Sequence, residues 1–155
     1  MRSRPRSLGL RAGGFGLALA LGGGCAGNAA ERPEFFAPVA NPDAPYSEAV
    51  RAGSTLFLAG KLGIDPATGQ LAPGGIQPET RQALTSIRDV LERHGAGLVD
   101  VVKCTVFLAD IDEWAAMNEV YREFFPRDPP ARSAVGVSGL GREARVEIEC
   151  IAMMR

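Results

Sequence analysis

Pro130-Ala131-Arg132-Ser133-Ala134-Val135, followed after a glycine-rich turn by Val146-Glu147-Ile148-Glu149, is the stretch around which this 155-residue chain is organised. Each half has the character of a β-strand, and each carries charge where a buried strand carries none. Arg132 opens the first strand. Glu147 and Glu149 alternate with Val146, Ile148 and Cys150, so the period of two puts both carboxylates on one face. The connection Gly136-Val137-Ser138-Gly139-Leu140-Gly141-Arg142 is short enough to predict that the two strands pair as neighbours. A guanidinium and a carboxylate so placed can bind an anion and handle a proton, or can form a plain structural ion pair.

Upstream, residues 101–108 alternate as a strand. Val102, Cys104, Val106 and Leu108 fall on one face, and Val101, Lys103, Thr105 and Phe107 on the other. Asp110 or Asp112 can cap a helix whose apolar stripe is Trp114, Met117, Tyr121 and Phe124, and Pro126 ends it. Asn118 lies on that stripe; a buried amide needs partners, so it either fastens a loop or belongs to a site. Another helix begins near Pro78, with Thr80, Ala83, Leu84, Ile87, Val90 and Leu91 on one side and Gly95 as its stop. His94, in its last turn, suits a helix C-terminus on dipole grounds alone. Ahead of that helix, Ala49-Val50-Arg51 and Thr55-Leu56-Phe57-Leu58-Ala59 flank a hairpin turn. Asp65-Pro66-Ala67-Thr68-Gly69 then forms a loop.

The order is β-β-α-β-α-β-β, an α+β domain with one mixed sheet and both helices on one face. The other face would present Lys103, Thr105, Phe107, Glu147, Glu149, Ile151 and Met153. Such a mixture of charges and apolar side chains predicts cover by another copy of the chain, hence a symmetric oligomer.

A hydrophobic content of 46% supports one domain with a real core. The formal net charge of −1 hides an asymmetry. Setting aside Arg2, Arg4, Arg6 and Arg11 leaves 13 basic against 18 acidic residues, a net of −5, which argues against a nucleic-acid partner. Those arginines, the short apolar run 15–21, and Gly22-Gly23-Gly24 ahead of Cys25 read as an export signal over residues 1–25. Cys25 resembles the acylated cysteine of a bacterial lipoprotein; a plain cleaved secretory signal is the other reading. Export would make the chain periplasmic or membrane-anchored, touching the membrane only through the lipid. Residues 26–44 lack periodicity and read as a tether, and residues 45–155 as the domain. Cys104 and Cys150 sit in apolar runs and read as small buried hydrophobes rather than a disulfide. Three cysteines and one histidine suggest no metal site.

Taken together, Pro45-Tyr46-Ser47, Leu58-Ala59-Gly60, Asp65-Pro66-Ala67-Thr68-Gly69, Val102-Lys103-Cys104-Thr105-Val106-Phe107-Leu108, Asn118-Glu119-Val120-Tyr121, Phe124-Phe125-Pro126, Pro130-Ala131-Arg132-Ser133 and Val146-Glu147-Ile148 resemble the RidA/YjgF family of enamine/imine deaminases. The resemblance implies a chorismate-mutase-like fold and a homotrimer with sites between subunits. It implies cofactor-free hydrolysis of 2-aminoacrylate- or 2-iminobutanoate-type acids to 2-keto acids and ammonia. By position, Arg132 would grip the substrate carboxylate and Glu147 would activate water. Tyr46 and Asn118 would line the cleft, and backbone amides near Gly60 and Ala134 would complete it. The chain departs from the family pattern at Ala59, commonly Ser or Thr, and at Lys61, commonly Gln. A non-catalytic trimer that binds small carboxylates or holds unfolded proteins is the alternative in the same family.

Overall fold

The computed structural model describes residues 32–154. The predicted signal and Cys25 lie outside the described residues. The chain runs β1 (Glu34–Phe36), β2 (Ala49–Ala52), β3 (Thr55–Leu58), β4 (Lys61–Leu62), α1 (Ile76–Arg93), β5 (Val101–Leu108), α2 (Trp114–Phe124), β6 (Ala131–Gly136) and β7 (Val146–Met153). These strands form one mixed sheet in the order β1-β2-β3-β7-β5-β6, with β4 also on β7. All ladders are antiparallel except β5 with β6.

Both helices form where the apolar periodicity puts them. Asp110 Oδ1 accepts the Asp112 N–H at 2.9 Å, capping a 3-10 turn that leads into α2. Ala83, Leu84, Ile87 and Leu91 of α1 and Met117 and Tyr121 of α2 pack on Leu56, Cys104, Val106, Val146, Ile148 and Cys150 of the sheet. The far sheet face leaves Phe57, Val135 and Met153 exposed beside the charges of β7.

Four expectations give way. First, β6 and β7 are not neighbours, because β5 lies between them and bonds both. The connection from β6 to β7 crosses over one strand, and a parallel β5–β6 pair is what the intervening α2 makes possible. Second, β1 lies inside the stretch read as a tether. Three residues with no periodicity of their own are held by β2, and Phe36 stacks on His94 with ring centroids 4.1 Å apart. Third, a bulge at Val102 shifts the β5–β7 register, so Val101 is buried and Val102 is 45% exposed. Fourth, Cys104 and Cys150 form a disulfide across directly paired positions of β5 and β7.

Gly63 shows how closely the layers meet. A Cβ there would lie 2.5 Å from both the Cα and the carbonyl oxygen of Glu79 on α1. Backbone cannot yield as a side-chain tip can. Gly63→Ala is therefore expected to lower unfolding stability by about 1–3 kcal/mol, read as a reduced urea midpoint.

Candidate active site

The site is built on an irregularity in the sheet. Phe57 of β3 pairs with Ile151 and Lys61 of β4 pairs with Ile148, so Leu58, Ala59 and Gly60 stand opposite only Glu149 and Cys150. The extra residue is a bulge, which bends the strand and re-aims the side chains beyond it. Gly60 is required here because the Glu147 side chain lies over it, with Oε1 occupying the place a Cβ would need.

Beside the bulge opens a cavity of about 770 Å³ lined by Tyr46, Glu48, Gly60, Lys61, Arg93 and Glu147 among others. Pro38 and Val39, upstream of β2, help wall it. Three of the expected site residues, Tyr46, Gly60 and Glu147, thus meet in one chain.

Arg132 does not join them. It is registered with Cys104, whose side chain is in the core, whereas Glu147 is registered with Phe107. Three residues apart on β5, these positions point to opposite faces and are separated by about 10 Å along the strand alone. Arg132 instead lies on the helix side with its guanidinium carbon 4.5 Å over the centroid of the Tyr121 ring. A planar cation on a π face keeps its N–H fork free for an anion. Burial pushes the Tyr121 hydroxyl up to about 12, against a smaller downward pull from Arg132, so the ring stays neutral. That hydroxyl is buried with no hydrogen-bond partner among the described residues. Asn118, buried one turn earlier on α2, and Ala134, two residues along β6, complete this second group. One chain therefore carries the expected site residues as two groups at different places on its sheet.

Glu48 was not singled out from the sequence, yet it is the most engaged acid at the cavity. It is 4% exposed, Oε2 accepts from Arg93 Nη2 at 2.8 Å, and Oε1 lies 3.3 Å from His94 Nε2. Lys61 Nζ stands 3.9 Å from the same carboxylate. No local pattern marks Glu48, since its partners come from 45 and 46 residues away. Tyr121 was legible only as part of an apolar stripe; its role as a platform for Arg132 needs the α2–β6 packing.

A profile of the family described as Endoribonuclease L-PSP matches residues 37–154. The 2-iminobutanoate/2-iminopropanoate deaminase of Capra hircus is 49% identical over 109 residues, covering 70% of this chain and 80% of that protein. Among solved structures, RidA from an Antarctic Psychrobacter superposes with a TM-score of 0.70 at 37% identity, covering 76% of this chain and 94% of that one. The YjgF gene product of E. coli superposes at 0.72 and 33% identity, covering 79% and 99%. The α+β fold with a mixed sheet and two helices is that of these proteins.

Proposed function

We propose, given that this chain belongs to the RidA/YjgF (endoribonuclease L-PSP) family, that it hydrolyses reactive 2-imino and 2-enamino acids to 2-keto acids and ammonia. The observation that carries the reading is the pair of complementary half-sites. One holds a carboxylate, Glu147, over Gly60 at the mouth of a cavity. The other holds a cation, Arg132, on an aromatic platform. A homotrimer in which the β6 edge of one chain faces the cavity of the next would join them, and would cover the exposed apolar residues of the far sheet face.

In the joined site Arg132 binds the substrate carboxylate through two parallel N–H bonds, which fixes the C2 carbon in place. Glu147 accepts a proton from water as the oxygen bonds to that carbon. The C=N bond becomes C–N and the nitrogen takes up that proton; Glu147 then takes the hydroxyl proton as C=O forms and the C–N bond breaks, and passes it to the departing ammonia. The iminium and water are thus converted to keto acid and ammonium. The net negative charge of the domain, with no basic stripe, disfavours RNA as substrate despite the family's description.

The test is keto-acid release from freshly generated 2-iminobutanoate by wild type and Arg132→Ala. Equal rates would refute the assignment. Gly60→Ala offers a finer check. The three atoms nearest its Cβ all belong to the flexible Glu147 side chain, so kcat is expected to fall about 10- to 100-fold as the carboxylate is displaced, with a smaller effect on stability than at Gly63.

We also propose that the chain is exported and held by a lipid on Cys25. The Cys104–Cys150 disulfide supports this, because such bonds persist in oxidising compartments. Labelled palmitate should enter the wild type and not Cys25→Ser; equal labelling would dismiss the anchor.

A further inference from the structure

Lys61 brings to the cavity a charge that imine hydrolysis does not use. Its strand pairs so that Lys61 faces the helix side with Ile148, while the adjacent Leu62 is registered with Glu147. Both Lys61 and Glu147 line the same cavity, which therefore passes around the bulge from one side of the ladder to the other. The nearest anion to the ammonium is Glu48, 3.9 Å away, beyond hydrogen-bond length. Both oxygens of Glu48 are already engaged, one by Arg93 and one by His94. Asp89 also borders the cavity, but its half-exposed carboxylate sits 3.5 Å from Arg88. Burial pulls the Lys61 ammonium below its ordinary pKa more than Glu48 restores it, and Arg93 adds to the drop. Lys61 and Arg93 thus share the Glu48 carboxylate at one wall of an open chamber that Glu147 and Asp89 also border. A partly buried ammonium with no carboxylate at hydrogen-bond distance gains from a ligand that brings one.

We propose that Lys61 receives the distal carboxylate of a dicarboxylic imino acid, of the 2-iminosuccinate or 2-iminoglutarate type, while Arg132 of a neighbouring chain holds the carboxylate next to the C=N bond. The supplying reaction is then an oxidation of an acidic amino acid at its α-carbon. This assignment rests on the deaminase reading of the same cleft.

Calorimetric titration with the stable keto-acid products separates the two. Wild type is expected to bind 2-oxoglutarate about tenfold or more tightly than 2-oxobutanoate, as a charge-assisted bond implies. Lys61→Arg keeps that preference, and Lys61→Gln brings the two affinities together. Equal affinities in the wild type, or a preference that survives in Lys61→Gln, overturns the proposal. If 2-oxobutanoate binds and Arg132→Ala abolishes it while 2-oxoglutarate gains nothing, only the dicarboxylate assignment fails. If neither keto acid binds, the deaminase reading fails and takes this one with it. Should Lys61→Gln not fold, the wild-type ratio decides alone.

Discussion

Arg132→Ala and Glu147→Ala chains, each inactive by itself, are expected to recover activity when unfolded and refolded together. Arg132 and Glu147 lie on opposite faces of one chain's sheet, two strands apart, so within one chain the two side chains leave the sheet on opposite sides. A site shared across an interface needs Arg132 from one copy and Glu147 from its neighbour. In an equimolar random assembly with cyclic symmetry, about a quarter of the sites combine an intact Arg132 with an intact Glu147. Recovery to about a quarter of the wild-type rate is the expected reading, against a loss of about a thousandfold or more for either variant alone. Absence of recovery from chains shown to have co-assembled would mean that the two groups act in separate sites or not at all. No local packing change in one chain imitates this result, because complementation demands two copies.

Reduction of the Cys104–Cys150 disulfide is expected to have the largest effect on stability. The bond closes a loop with a sequence separation of 46 and ties β5 to β7 at the centre of the sheet. Chain-entropy arguments for a loop of that size give about 4 kcal/mol as a ceiling, and measured cases run at about 2–4 kcal/mol. The thermal midpoint of the folded domain should fall by about 10 °C when Cys104→Ala and Cys150→Ala are combined, or when the protein is unfolded in excess reductant. The paired positions lie in the core beneath both helices, so the double substitution also leaves a small cavity. Comparing the reduced wild type with the double alanine variant separates the cross-link from the packing loss. An unchanged midpoint under full reduction would show that the bond contributes nothing to the fold.

The two bulges show where local pattern stops being informative. Alternation along β5 placed Cys104, Val106 and Leu108 together, and they are buried together. The same alternation put Val102 with them, but the inserted residue turns it outward. A period of two is lost at one extra residue, and nothing in the side chains around Val102 announces the insertion. Likewise, the Cys pair was visible only as two apolar positions. That they face each other follows from β7 pairing with β5 in one particular register, a contact between distant parts of the chain.

The helices, the hairpin, the α+β class and the family were all legible in the order of the amino acids. Periodicity, turn chemistry and the spacing of motifs are local, and local signals survive without knowledge of what packs where. It took the folded chain to show that β5 separates β6 from β7, that Arg132 rests on Tyr121 away from Glu147, and that Glu48 gathers Arg93, His94 and Lys61 around one cavity. Strand order and buried ion clusters depend on contacts between residues tens of positions apart. Their energies are set by the whole fold, so no single stretch of sequence carries them.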